Sequence, residues 1–91
     1  MMKVIFLVSE EPILNVELAS GKITRIDVIS EILTQAVFPS VLDTLNEGNL
    51  LSLLRFYADI KPNASLEDIV EQTGGEIPFI EFKDNLSIKF K

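Results

Sequence analysis

The chain has 91 residues, which is enough for a single small domain, and we place that domain at residues 1–91. Its 47% content of apolar residues excludes an intrinsically disordered protein, and its lack of cysteine excludes a disulfide framework or a thiolate zinc site. The absence of histidine excludes a Ser-His-Asp triad and imidazole metal ligands, and a net charge of -6 argues against a nucleic-acid-binding protein.

The first two apolar segments predict β-strands. Residues 4–8 form an uninterrupted run of mostly β-branched and aromatic residues, which is typical of a strand in the middle of a sheet. Residues 10–12 predict a turn, because they contain two glutamates and a proline. Residues 13–19 then alternate between apolar and polar, so we expect a half-buried strand.

The next segment fits two different structures. Thr24 and Asp27 match a capping box, and apolar residues recur at helical spacing as far as Val37, so we expect a helix over residues 25–37. The alternative is a third strand over residues 23–29, because four of these seven residues are isoleucine or valine.

Capping patterns predict two further helices. Pro39 favours the first turn of a helix over residues 40–47, with the next glycine just past its end. Ser65 and Asp68 match a second capping box, which begins a short helix that ends at Thr73 before two glycines.

The most apolar helix is expected between these two, over residues 50–60 with Asn49 as its N-cap. A helix that is apolar nearly all round must be covered on most of its sides, and a chain this short has limited protein to cover it. We therefore expect an interaction surface here. The candidate interaction residues are Leu50, Leu51, Leu54, Arg55, Phe56 and Tyr57.

The last two strands are predicted at residues 77–83 and 86–90, joined by a hairpin. We expect a three-residue loop, which places Ile80 opposite Ile88. A two-residue loop would instead place Ile88 opposite Glu81.

The predicted element order is β-β-α-α-α-α-β-β, which belongs to the α+β class. We expect the hairpins at the two ends of the chain to meet in one four-stranded, mostly antiparallel sheet. The helices would then pack on one face of this sheet, giving a two-layer sandwich.

Residues 45–75 resemble the helical region of phage tail-assembly chaperones. The resemblance rests on the Gly48-Asn49 pair, the leucine-rich helix, the loop that contains Pro62 and the helix start at residues 65–68. It implies a phage or mobile-element protein that assembles through its helices.

Carboxylates are the main candidates for chemistry in this sequence. Glu67 and Glu71 share a helix face at a spacing that suits Ca²⁺ or Mg²⁺, but acidic residues near a helix start are also favoured by the helix dipole. Glu10 and Glu11 are expected in a solvated turn, which does not favour a pair of carboxylates for acid–base catalysis. We therefore expect no catalytic residue, no metal site and no cofactor.

Charge and hydropathy also limit the partners. Only Lys83, Lys89 and Lys91 are close enough in sequence to cluster, so we expect no nucleic-acid partner. The longest apolar run near the N-terminus has five residues, whereas a membrane span needs about 20. We expect no membrane partner and a cytoplasmic location.

These observations predict a small non-enzymatic interaction module, such as an adaptor, an assembly factor or an inhibitor. It would act through an apolar helical surface, either as a homo-oligomer or with a protein partner. Two alternatives remain open. One is a module that binds a small molecule or a metal, or an acidic mimic protein, and the other is a small enzyme that relies on carboxylates.

Overall fold

The computed structural model describes residues 2–37, 45–61, 63–78, 80 and 85–91. Within these ranges the element order is β-β-β-α-α-α-β-β. The strands are β1 (Met2–Val8), β2 (Glu11–Ala19), β3 (Lys22–Val28), β4 (Glu76–Ile77) and β5 (Leu86–Phe90). The helices are α1 (Glu31–Val37), α2 (Glu47–Ala58) and α3 (Leu66–Thr73).

The strands form one antiparallel sheet in the order β3-β2-β1-β5-β4. The α+β class is confirmed, and so is the central position of β1. The prediction of a four-stranded sheet with four helices is wrong, because the described chain contains a fifth strand and three helices. The helix expected over residues 40–47 falls largely outside the described residues, and residues 45 and 46 are not helical.

The added strand is β3, so the alternative interpretation of residues 23–29 as a strand is confirmed. The helix predicted over residues 25–37 is wrong in its first part and correct from residue 31 to its end at Val37. The helix begins only at Glu31. The Thr24 hydroxyl, which was expected to cap that helix, instead donates a hydrogen bond of 3.2 Å to the carbonyl oxygen of Glu17 on β2. Pairing with β2 therefore stabilises a strand here, although the local capping pattern favours the start of a helix.

Two-residue turns join the first three strands. Ser9 and Glu10 form the first turn and Ser20 and Gly21 the second, and all four have positive φ. Two consecutive turn residues with positive φ give the turn a backbone twist that matches the twist of the two strands it joins. The first turn is therefore shorter than the predicted one at residues 10–12, of which the last two lie in β2.

The core lies on one face of the sheet. Alternate residues of the three central strands supply half of the buried cluster: Val4, Phe6, Leu14, Val16, Leu18, Leu86, Ile88 and Phe90. Leu50 and Leu54 of α2 and Ile69 of α3 belong to the same buried cluster. The two longer helices are thereby held against β1, β2 and β5.

Asn46, not Asn49, caps α2. The backbone of Asn46 is extended, and its side-chain oxygen accepts a 2.9 Å hydrogen bond from the Asn49 backbone amide. The helix therefore starts at Glu47, three residues earlier than expected, and Gly48 lies inside it.

The predicted start and end of α3 are confirmed. Ser65 and Asp68 form a reciprocal capping box, with both side-chain-to-backbone hydrogen bonds at 3.2 Å. The helix ends at Thr73, and Gly74 follows in the left-handed conformation with φ of 71°.

The C-terminal strand at residues 86–90 is confirmed, but its pairing differs from the prediction. Ile77 lies opposite Ile88, so the expected pairing of Ile80 with Ile88 is wrong. β4 has only two residues because Pro78, which has no backbone N–H, follows it and interrupts the ladder. The loop expected at residues 83–85 lies mostly outside the described residues.

Candidate functional site

The structure divides the predicted interaction residues between the core and the surface. Leu50 and Leu54 are buried and contribute to the core, while Leu51 is half-buried. Phe56 is 66% exposed, which makes it the most accessible of the six. The part of α2 that another protein can reach is thus narrower than its sequence indicates.

Arg55 and Tyr57 flank Phe56 and are half-buried. Arg55 donates a 2.7 Å hydrogen bond from Nε to the Ala64 carbonyl oxygen and so ties α2 to the segment before α3. The Tyr57 ring lies 5.7 Å from the Phe56 ring, and burial raises the pKa of the Tyr57 hydroxyl. Both side chains therefore stabilise the local fold, and both also lie next to the exposed Phe56 side chain.

A larger apolar surface lies elsewhere, on β3 and α1. Eight consecutive positions carry five of the six large apolar side chains that are exposed within the described part of the chain. Ile32 is 82% exposed, the highest value among them. We call this the β3–α1 surface, and it consists of Ile26, Val28, Ile29, Ile32 and Leu33.

The two residues on β3 are exposed because this strand lies at the edge of the sheet. Ile26 is paired with Val16 and Val28 with Leu14, both of which are buried. Since directly paired residues share a face, Ile26 and Val28 point to the side of the sheet that carries the core. The helices cover the central strands there and leave these two side chains partly exposed, at 37% and 41%.

The orientation of α1, which has Thr34 on its buried side and Ile32 on its exposed side, follows from an irregularity in β2. The register between β1 and β2 shifts at Ile13, so this residue has no paired partner on β1. Its carbonyl oxygen accepts hydrogen bonds from the backbone amides of Ile29 and Ser30, at 2.9 and 3.0 Å, and from the Thr34 hydroxyl at 3.2 Å. Thr34 is thereby buried, and Ile32 points outward on the opposite side of the helix.

The two edges of the sheet differ. β4 is two residues long and is followed by a proline, whereas β3 is seven residues long and most of its residues are exposed. Short length and proline are common ways to prevent an edge strand from pairing with another chain. The described structure applies them to β4 but not to β3.

Charged side chains lie on the other face of β3. Arg25 donates a 2.8 Å hydrogen bond from Nε to Oδ1 of Asp27, and the same Nε lies 3.8 Å from Oε2 of Glu17. The Arg25 side chain is 67% exposed. β3 thus presents apolar residues on one face and one opposite-charge pair on the other.

A cleft of about 470 Å³ lies between the start of α2, the start of α3 and the adjacent end of the β1–β2 pair. Leucines supply much of its lining, and Glu47 and Glu67 also border it. Its size is within the range of ligand sites. The two carboxylates favour a neutral or cationic apolar molecule over an anion.

The carboxylates singled out in the sequence, at residues 10, 11, 67 and 71, are all exposed. Glu67 lies in the first turn of α3. In the ranges that the structure describes, no three acidic side chains are close enough together to hold a metal ion. No helix in these ranges has the length and apolar content needed to cross a membrane.

Sequence analysis missed the β3–α1 surface because Ile26, Ile29 and Leu33 were assigned to the buried face of one helix. The available indication was the alternation of Arg25 and Asp27 with apolar residues, which is the pattern of a strand. No family model, curated protein or solved structure matches the chain. The resemblance to tail-assembly chaperones therefore stays a prediction.

Proposed function

We propose that the protein is a non-enzymatic interaction module that binds another protein through the β3–α1 surface. The observation that carries the proposal is the concentration of exposed isoleucine, valine and leucine side chains in residues 26–33. Full burial of an exposed side chain of this size gains about 1.5–3 kcal/mol, and these five side chains, which are 37–82% exposed in the single chain, can gain the corresponding part of it. Contiguous apolar surface of this kind is typical of protein interaction sites.

The shape of the site supports a protein as the ligand. The five side chains extend over a strand and the helix that follows it, so they form an open surface and not an enclosed pocket. The uncovered backbone edge of β3 adds hydrogen-bonding groups that an extended segment of another chain can use. The cysteine-free composition fits a cytoplasmic location, which we include in the proposal.

The accessible part of α2 is a second candidate surface for the same function. Phe56 lies beside a shallow depression of about 340 Å³ that Ser52, Arg55, Asp59 and Ile60 also line. We call this the α2 surface. It has one large exposed apolar side chain where the β3–α1 surface has five, so we place the interaction on the latter.

Three single substitutions to glutamate distinguish these surfaces. Ile32→Glu adds a charge to the β3–α1 surface, Phe56→Glu adds one to the α2 surface, and Gln72→Glu makes the same charge change at an exposed position on α3. We expect Ile32→Glu to weaken binding at least tenfold, because the interface would bury an unpaired carboxylate. The other two variants should bind as the wild type does.

Binding is measured in two ways. Light scattering behind a sizing column, over a range of concentrations, reports self-association. Capture on the immobilised protein from an extract of the producing cells reports other protein partners, with the Ile32→Glu protein as the matched control. Circular dichroism and thermal melting establish that each variant is folded.

Three results would contradict the assignment. Equal binding by the wild type and Ile32→Glu would exclude the β3–α1 surface. Loss of binding in Phe56→Glu alone would move the interaction to the α2 surface. A wild type that neither self-associates nor captures any protein would refute the interaction function itself.

A further inference from the structure

We propose that β3 pairs with β3 of a second copy of this chain, antiparallel and with Ile26 of each copy opposite Ile26 of the other. The inference rests on the proposed function and names the partner of the β3–α1 surface. Three observations carry it: the exposed edge of β3, the direction in which the backbone groups of this edge point, and the order of the charged residues along it.

The edge of β3 has the length and composition for pairing. It offers seven residues in extended conformation, of which three are isoleucine or valine. Strands of this kind add readily to another strand unless they are shortened, covered, interrupted by proline or bent away by a bulge. The one irregularity of β3 lies at Thr24, and residues 25–28 pair with β2 in a single register. A second copy brings an identical strand, so each protects the other and the two sheets become one.

The backbone groups of Ile26 point out of the sheet. The Ile29 amide donates to the carbonyl oxygen of Ile13 on β2, which fixes the direction of hydrogen bonding at this end of β3. In an antiparallel ladder that direction alternates from one residue to the next. The N–H and C=O groups of Ile26 and Val28 therefore face away from β2, where a second copy of β3 can bond to them.

The two faces of β3 restrict the register. A shift by one residue would place the apolar side chains of one copy on the charged face of the other. Only shifts by two residues keep the faces aligned, so the two-fold axis passes through a residue and not between two residues. An axis at residue 24 or earlier would fall on or before the irregularity of β3, and an axis at residue 28 would leave a single residue of the strand paired. The axis therefore passes through residue 25, 26 or 27. Each of these registers brings a different pair of charges together.

Charge complementarity selects the register centred on Ile26. An axis at residue 25 would oppose two arginines, and an axis at residue 27 would oppose two aspartates. An axis at residue 26 instead places Arg25 of each copy opposite Asp27 of the other, which is a favourable cross-strand pair. Both contacts that Arg25 makes within its own chain use Nε, and the guanidinium carries four further N–H donors for the second copy.

Charge reversal at these two positions tests the register. We expect R25D and D27R each to weaken dimerisation about tenfold or more, because each places like charges opposite each other twice. An equimolar mixture of the two variants should form a heterodimer, because every pair across the interface then carries opposite charges. Lys61→Asp, which reverses an exposed charge outside the sheet, should dimerise as the wild type does.

A disulfide provides a second measurement that leaves the charges unchanged. The chain has no cysteine, so a single introduced thiol can cross-link only to another copy. Directly opposed residues in a hydrogen-bonded pair lie about 5.5 Å apart between Cα atoms, within the range for a disulfide. Ile26→Cys should therefore form a covalent dimer in a glutathione buffer, and Val28→Cys, whose two thiols would lie about 13 Å apart, should not.

The outcomes separate this inference from the proposed function. A wild type that stays monomeric at all concentrations overturns the pairing with a second copy, while the capture experiment still decides whether another protein binds. If Ile32→Glu abolishes the dimer but the charge variants do not affect it, the β3 register is overturned. The proposed function is then still supported. Faster cross-linking through Val28→Cys than through Ile26→Cys also overturns the register.

Discussion

At the scale of single residues, one carbonyl group accounts for the orientation of α1. The Ile13 carbonyl oxygen accepts from two backbone amides and from the Thr34 hydroxyl, which also donates to the Ser30 carbonyl oxygen at 2.6 Å. A buried hydroxyl is tolerated only when it is hydrogen-bonded, and these two acceptors meet that need. A polar residue thereby occupies the inward side of a short helix whose isoleucine and leucine face water.

Thr34→Val tests this account. The substitution keeps the shape of the side chain and removes its donor, while both carbonyl oxygens keep backbone donors. We expect the free energy of unfolding to fall by about 0.5–1.5 kcal/mol, because hydrogen bonds are lost but no buried group is left unpaired. Urea denaturation measures the change.

The matched control is Thr24→Val, which removes an exposed hydroxyl on β3. It should alter the free energy of unfolding by less than about 0.5 kcal/mol. Equal effects of the two substitutions would show that the buried hydroxyl does not hold α1 in place.

At the scale of elements, sequence patterns correctly predicted the helices and strands that are stabilised by interactions between residues near each other in the sequence. The capping box of Ser65 and Asp68 is closed by groups three residues apart, so α3 could be located from its own sequence. The similar pattern at Thr24 and Asp27 failed, because the competing interaction comes from β2 and is not encoded nearby. Residues 25–28 were therefore assigned first to a helix, although they form a strand, and the surface that they share with the start of α1 was missed.

Ser65→Ala measures what the confirmed cap contributes. The substitution removes the acceptor for the Asp68 amide, so we expect the free energy of unfolding to fall by about 1 kcal/mol. Ser52→Ala makes the same chemical change at an exposed position within α2, where alanine is the better helix former. It should leave stability unchanged or raise it slightly, and a loss as large as that of Ser65→Ala would refute the capping account.

At the scale of the whole molecule, the two ends of the chain build the middle of the sheet. β1 pairs with β5, and Lys3 and Lys91 exchange backbone hydrogen bonds of 2.7 and 2.9 Å. This meeting of the terminal hairpins was predicted from the apolar runs at both ends. This pairing of β1 with β5 places β3, the third strand of the chain, at one edge of the sheet. The exposed side chains of Ile26 and Val28 lie on this edge strand.

If a second copy covers β3, the stability of the whole molecule depends on its concentration. Association stabilises the folded state by mass action, so the melting temperature of the wild type should rise by about 3–5 °C for each tenfold increase above the dissociation constant. Ile26→Lys should remove this dependence, because it places two ammonium groups opposite each other. Ile26 is only 37% exposed in the single chain, so the melting temperature of the dilute variant, compared with that of the dilute wild type, measures separately what the substitution costs within one chain. Phe56→Lys, on the α2 surface, should keep the dependence, and a wild-type melting temperature that stays constant over a hundredfold range of concentration would contradict pairing between copies.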